Sequence, residues 1–287
     1  MIIFAIKGGL GNQLFQFAAL KALEGKIRDQ IVIDLTFFQT KMLDGNDKRE
    51  FHLNEFDFDY PIMPSFLKPY VFCIKILRKL IPSFAQPVNS INDAVQLANK
   101  KNTFPIYLED YWQTQDTIDL GAAHVVSAIK KTFNARTNQQ DTPLSSALAK
   151  ISASSSIAMQ IRRGDYITNK LNLKIFGACN DEYFKQALTL LESDTKTRIY
   201  VFSDETDLNP KFIDHVFTIS SLRLSTTDEF LLLSTFDKVV ISNSTFGWWA
   251  AYVESKYKKV IAPFDWFTGL DSDLGRLPTN WKRISKG

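Results

Sequence analysis

Histidine and cysteine are too few and too scattered in this 287-residue chain to build a metal centre or a disulfide framework. Cys73 and Cys179 belong to no Cys-x-x-Cys pair, and His52, His124 and His215 form no His-x-x-x-His pattern, so no protein-held transition metal and no cofactor is expected. No apolar run reaches the roughly 18 residues that a membrane span needs. The opening residues lack the basic flank and small-residue cleavage site of a signal peptide, and the expected compartment is the cytoplasm. An excess of one charge is missing too: 34 Lys and Arg against 31 Asp and Glu leave a net +3. The basic residues are dispersed and match no nucleic-acid motif, so nucleic acid is not an expected partner, whereas a ligand with a few negative charges is.

What the chain does have is apolar material in an ordinary amount, 45% of residues, with 23 Phe that must be mostly core. Short apolar runs alternate with helical patterns. Strands are expected at 2–6, 31–34, 106–109, 157–161, 199–203, 216–219, 238–241 and 259–262, and helices at about 14–24, 120–132, 144–151, 181–191, 228–234 and 246–255. This alternation implies parallel sheets covered on both faces. The fold class is α/β, read as two Rossmann-like domains facing across a cleft: 1–150, interrupted by an irregular Phe- and Pro-rich insertion at 36–105, and 151–287. The division falls in the Asn-, Gln-, Ser- and Thr-rich stretch 134–156, and the C-terminal segment is a candidate to pack back on the first domain.

Four motifs sit where strands end, the place where open α/β sheets bind ligands. Ile161-Arg162-Arg163-Gly164-Asp165-Tyr166 follows a buried strand and carries two guanidinium forks, which fit phosphate oxygens in pairs. A plain pairing of Arg163 with Asp165 is the alternative for half of it. Gly8-Gly9-Leu10-Gly11-Asn12-Gln13 follows the first strand and exposes backbone N–H groups at a helix N-terminus, an anion site. It matches neither the dinucleotide fingerprint nor a P-loop. Phe202-Ser203-Asp204-Glu205 offers a hydroxyl and a carboxylate for a ribose or a base edge, or a helix cap. Ser242-Asn243-Ser244-Thr245 opens a helix with small polar groups suited to a diphosphate, and Trp248 and Trp249 after it read as core. Together these imply a nucleotide diphosphate held by the second domain.

In this combination and order the chain resembles the α-1,2-fucosyltransferase family, the bacterial type of glycosyltransferase family 11. The resemblance rests on residues 8–18, 161–166, 202–204 and 243–251, with Tyr111-Trp112-Gln113, Ala262 to Phe267 and Leu277 to Trp281 in support. It implies a GT-B fold, GDP-fucose as donor, no metal, and inverting transfer to the 2-hydroxyl of a terminal β-galactoside. With no membrane anchor, it further implies bacterial surface polysaccharide (O-antigen) synthesis on an acceptor that can be lipid-linked. Arg162 is implied as the phosphate clamp. Gly9, Gly11 and Asn12 are to approach the diphosphate from the first domain, with Asn12 near the reaction centre, and Arg163, Asp165, Ser203, Asp204, Asn243, Ser244 and Thr245 complete the donor site. The family pattern has His where Gln160 stands, and an amide cannot shuttle a proton at neutral pH. Asp34, at a strand end of the first domain, is the candidate base.

Residues 66–81 mix bulky apolar side chains with Lys68, Lys75, Arg78 and Lys79 and contain no acid. Such a stretch can lie on an anionic membrane surface, at the inner face for a cytoplasmic enzyme. The alternative is an ordinary amphipathic helix with its cations in water.

Overall fold

The structure, a computed structural model, describes residues 1–39, 49–81, 88, 90–100, 104–151, 156–193, 196–205, 210, 213, 216–268 and 277–287, with the Asp165 side chain outside that description. The chain divides into two compact units, Met1–Ala128 and Ile129–Gly287.

In the first unit, β1 (Ile2–Ala5), β2 (Ile31–Asp34) and β3 (Ile106–Leu108) are buried at every position and pair in parallel in the order β2-β1-β3. Strands buried on both faces have apolar runs rather than alternation, which is how these read in sequence. Helix α1 (Leu10–Glu24) follows β1 and is buried along nearly its whole length, Gln13 and Gln16 included. The expected irregular stretch contains more helix than its composition suggests. Beyond α2 (Thr36–Gln39), α3 (Lys68–Leu80) starts with Pro69 in its first turn, and α4 (Ile91–Asn99) is capped by Ser90 Oγ accepting from Asp93 N. Residues 40–48, 82–87, 89 and 101–103 of the stretch lie outside the described residues. Helix α5 (Gln115–Thr137) is longer than the expected 120–132. It comes so close to α1 that a Cβ on Gly121 would stand 1.9 Å from the Ala18 carbonyl oxygen, so only glycine fits that crossing.

The division between the units falls within α5, ahead of the polar stretch at 134–156. Helix α6 (Pro143–Lys150), inside that stretch, buries Leu144 and Ala147 and packs against α10 (Thr226–Leu233). Polar composition suggested a linker there, with a helix at 144–151 inside it, and the helix's narrow apolar stripe ties it to the second unit.

That unit has six parallel strands in the order β6-β5-β4-β7-β8-β9: β4 (Ser156–Ile161), β5 (Arg198–Ser203), β6 (Val216–Thr218), β7 (Lys238–Ile241), β8 (Lys259–Pro263) and β9 (Lys282–Ile284). In chain order this is 3-2-1-4-5-6, the doubly wound Rossmann arrangement, whose ligand crevice opens where the order reverses, between β4 and β7. The expected α/β class, with two Rossmann-like parallel sheets of the GT-B type, is borne out in each unit's topology. Helices α7 (Gly164–Thr168), α8 (Lys170–Phe176), α9 (Asp181–Leu190) and α11 (Thr245–Tyr252) connect the strands. Trp248 and Trp249 on α11 are fully buried, as read from sequence. The C-terminal segment adds β9 to the edge of this sheet beside β8, and Asn180 N donates to Lys286 O (3.0 Å), anchoring the last residues in the second unit.

Candidate active site

Each site residue is placed by the strand that ends just before it. At the reversal point of the second sheet, Arg162 follows β4 and Ser242 follows β7. Arg162 N donates to Ser242 Oγ (3.0 Å), which donates to Gln160 O (3.0 Å). The Gln160 side chain accepts from Ser242 N through Oε1 (3.2 Å) and is buried. A Cβ on Gly247 would lie 2.8 Å from that oxygen. Gln160 therefore locks two strand ends together and fixes the backbone that carries Arg162. Sequence alone marked position 160 as a missing base; its role in the fold depends on Ser242, which arrives 82 residues later.

Arg162 Nη1 lies 3.2 Å from Asp204 Oδ2 at the end of β5, with the two side chains 22% and 20% exposed. The other carboxylate oxygen accepts from Arg163 N (3.1 Å). A Cβ on Gly164 would sit 2.6 Å from Asp204 Oδ2, so glycine is what allows this approach. The Arg162 guanidinium also stands over the Tyr166 ring, 5.7 Å from its centre. A guanidinium carries five N–H donors in a fixed fork, more than one carboxylate takes. Asp204 thus orients the fork.

Arg163 pairs with Asp181 (Nη2 to Oδ1, 2.5 Å) and donates to Cys179 O (3.2 Å), over the Phe184 ring. It staples the start of α9 to the β4 end; Asp165, the partner suggested by adjacency, has its side chain outside the described residues. Asn243 is buried, and its amide donates to Phe176 O (2.9 Å), Trp266 O (3.0 Å) and Gly177 O (3.4 Å). That amide ties three loop carbonyls together. Ser203 Oγ accepts from Glu205 N (3.0 Å) in a local turn, and residues 206–209, where a capped helix would begin, lie outside the described residues. Ser244 precedes α11 without capping it through its side chain, and Thr245 opens the helix; both stand beside Asn243 at the reversal point.

Glu229, in the first turn of α10, was not singled out in the sequence. Burial, with the Asp204 charge adding to it, pushes its carboxyl up to about 7. An acid in an amphipathic helix gives no sequence signal of this, because the cause is tertiary.

In the first unit, Gly8 has φ of +81° and Gly9 precedes α1. Gln13 holds this loop: its Nε2 donates to Gly8 O (2.9 Å) and Glu50 O (2.8 Å), and its Oε1 accepts from His52 N (2.9 Å). Gln16 Oε1 accepts from Lys7 N (2.9 Å). Asn12 Oδ1 accepts from Gln113 Nε2 (2.9 Å). A Cβ on Gly9 would come within 4.0 Å of Arg49 Nη1, a cation that the sequence reading missed.

Next to this loop, at the ends of β1, β2 and β3, lies a cavity of about 140 Å³ lined by Lys7, Asp34, Thr36, Phe37, Lys75 and Glu109 among others. Lys7 Nζ faces Glu109 Oε1 (3.4 Å), and Lys75 Nζ faces Asp34 Oδ2 (3.5 Å) and Thr36 Oγ1 (3.3 Å). Asp34 is buried; Oδ1 accepts from Thr36 N (2.8 Å) and Oδ2 from Tyr107 Oη (3.1 Å). Burial, with the Glu109 and Asp34 charges, raises Tyr107 far above the usual phenol range, which keeps it a donor. Both Asp34 oxygens are thus engaged, by Thr36 N, Tyr107 Oη and Lys75 Nζ. Lys75 and Arg78 are also not simple solvated cations, since Arg78 Nη2 donates to Tyr107 O (2.7 Å). Among the described residues no group of three or more His, Cys, Asp or Glu is placed to hold a metal ion.

The family model described as Glycosyl transferase family 11 matches residues 87–273. Two Escherichia coli proteins are similar along the chain. One, named alpha-1,2-colitosyltransferase, is 25% identical over 299 residues, covering 100% of this chain and 99% of its own. The other, named O-antigen biosynthesis glycosyltransferase WbnK, is 26% identical over 296 residues, covering 92% and 94%. Among solved structures, fucosyltransferase NodZ from Bradyrhizobium aligns at 14% identity over 88% of this chain and 93% of that one, with a TM-score of 0.47, a likeness too loose to bear on function. The family match spans the Arg162, Asp204 and Asn243 motifs that the second sheet gathers at its strand ends, and on it the chain belongs to glycosyltransferase family 11.

Proposed function

We propose that this protein is an inverting galactoside α-1,2-fucosyltransferase, moving L-fucose from GDP-fucose to the 2-hydroxyl of a terminal β-galactoside in bacterial O-antigen synthesis. The observation that carries the reading is the Arg162 fork, held by Asp204 and by the Ser242 lock at the reversal point of a doubly wound sheet. Cleavage of the bond between the anomeric carbon and the diphosphate leaves oxocarbenium character on the sugar and new negative charge on the β-phosphate. A preoriented guanidinium stabilises that charge without reorganising. Ser244 and Thr245 face the same point from the start of α11, where helix N–H groups favour anions. Gly9, Gly11 and Asn12 form a second anion-suited loop in the first unit, and the neighbouring charge-balanced cavity suits the uncharged hydroxyls of an acceptor sugar. No residue is assigned as base, and a loosely bonded transition state has little need of one.

The α-1,2-colitosyltransferase relative favours a second reading. Colitose is fucose without its 3-hydroxyl, so the linkage is shared and only the donor sugar differs. The test is a transfer assay with GDP-fucose and GDP-colitose against lactose, N-acetyllactosamine and Galβ1-3 acceptors, followed by linkage analysis. An α-1,2-fucosylated product from GDP-fucose supports the first reading. A product from GDP-colitose alone replaces it with the second. Neither product, and no GDP release from either donor in water, leaves a catalytically silent binding protein.

A further inference from the structure

Helix α3 carries apolar side chains on both of its faces, where an ordinary surface helix has them on the inner one. Its inward arc carries Val71 and Ile74 against the Ile3, Val32 and Met63 core, together with the Lys75 and Arg78 contacts to Asp34 and Tyr107. Its outward arc carries Phe72 (64% exposed), Ile76 (39%) and Leu80 (73%), spaced four apart so that they fall on one face. Phe66, just before the helix, is 77% exposed. Pro69 and Cys73 lie on the same exposed arc, and Lys68 and Lys79 border it. From Tyr60 to Asn92 the chain has no acidic residue.

A contiguous exposed apolar patch on a soluble domain marks an interaction surface. Its occupant is limited by its chemistry. A protein groove that takes an amphipathic helix covers the apolar side and leaves the cations at a polar rim, and so does a bilayer, but the absence of any acid over so long a stretch matches a surface that is itself uniformly negative. An apolar arc flanked by lysines is what lies at the boundary between headgroups and acyl chains of an anionic membrane. A second copy of this chain would instead bring lysines against lysines across a twofold axis, because such an interface sets each patch against itself.

We infer that the outer face of α3, with Phe66, docks on an anionic bilayer surface, Phe66, Phe72, Ile76 and Leu80 entering the interface and Lys68 and Lys79 meeting the headgroups. This docking does not depend on which sugar the enzyme transfers. It does bring to the membrane the helix whose other face lines the cavity at Asp34.

The test is flotation of the full chain with vesicles of phosphatidylethanolamine and phosphatidylglycerol, and with vesicles of phosphatidylcholine alone, at low salt. The protein should float with the anionic vesicles and stay behind with the neutral ones. Lys68→Gln with Lys79→Gln should weaken the partition about twentyfold, each cation being worth roughly a factor of five near such a surface. Phe72→Ser with Leu80→Ser should weaken it at least on the order of tenfold. Both variants should keep the wild-type circular dichroism and melting curve, because none of the four side chains enters the core. Failure of the wild type to float overturns the inference, as does flotation that all four substitutions leave unchanged. A wild-type dimer that the serine substitutions split, without any flotation, overturns it in favour of a second copy.

Discussion

The strand ends of the two units handle charge differently. Around the first unit's cavity the cations are the lysines Lys7 and Lys75, each set against one carboxylate, Glu109 or the buried Asp34. At the reversal point of the second sheet the cations are the arginines Arg162 and Arg163, set against Asp204 and Asp181. An ammonium satisfied by one carboxylate is a point charge in balance, and the walls it leaves suit neutral hydroxyls. A guanidinium satisfied by one carboxylate still presents a planar fork, and the carboxylate only aims it. In the function proposed above, the second unit therefore takes the diphosphate and the first the acceptor sugar. Within the second unit the neighbouring arginines differ in partner: Arg162 is set against Asp204 at the end of β5, whereas Arg163 pairs with Asp181 at the start of α9 and donates to Cys179 O.

The sharpest way to break this comparison is Arg162→Lys, which keeps the charge and removes the fork. Turnover should fall by roughly 10²–10³, by analogy with loss of an oxyanion-hole donor, with the melting curve unchanged. Near-wild-type turnover would put the first unit's lysines and the second unit's arginines on the same footing. In the first unit, Asp34→Asn should cost only about tenfold in turnover, the scale of one hydrogen bond to a charged group. The acid limb of the pH–rate profile should persist. Loss of that limb, with a drop of roughly 10²–10⁴, would restore Asp34 as the general base.

Asn243→Ala separates scaffold from ligand contact. It removes the amide donor of the Gly177 and Trp266 carbonyls and leaves Phe176 O to Lys286 Nζ (2.6 Å), so urea unfolding should show a loss of about 2 kcal/mol. GDP affinity in the folded fraction should hold. Unchanged stability with lost GDP binding would return Asn243 to the nucleotide.

Much of this was legible in the sequence, and the illegible part has a common cause. Apolar runs located eight of the nine strands among the described residues, and Arg162 and Asp204 followed from standing at strand ends. The ninth, β9, is a three-residue edge strand with Lys282 and Arg283 in it, and it has no apolar run to announce it. The roles of Gln13, Gln160, Asn243 and Arg163 depended on partners far along the chain, such as Trp266 for Asn243 and Asp181 for Arg163. Helix α3 was recognisable as amphipathic, but which arc faced outward could not be read, since both arcs carry apolar and basic residues.

Glu229 comes last and shows what burial, with the Asp204 charge, does at the second site. Its carboxyl is raised from 4.5 to about 7 in the folded protein. The folded state therefore holds a proton that the unfolded state has released over that range. The associated stability is complete at the acid end and is lost as pH rises through about 7. Glu229→Gln cannot ionise, so its stability relative to wild type should grow between about pH 5 and pH 8, by on the order of 2 kcal/mol. Parallel stability curves across that range would show that Glu229 is solvated.

The most direct measurement is calorimetric titration of GDP and GMP into the wild type and Arg162→Ala. If Arg162 holds the β-phosphate, the wild type binds GDP at least about tenfold more tightly than GMP, the worth of one charge-assisted contact. In Arg162→Ala that preference disappears while GMP affinity changes little. Equal affinities for GDP and GMP in the wild type, or a preference that survives in Arg162→Ala, would contradict the assignment of the diphosphate to this fork.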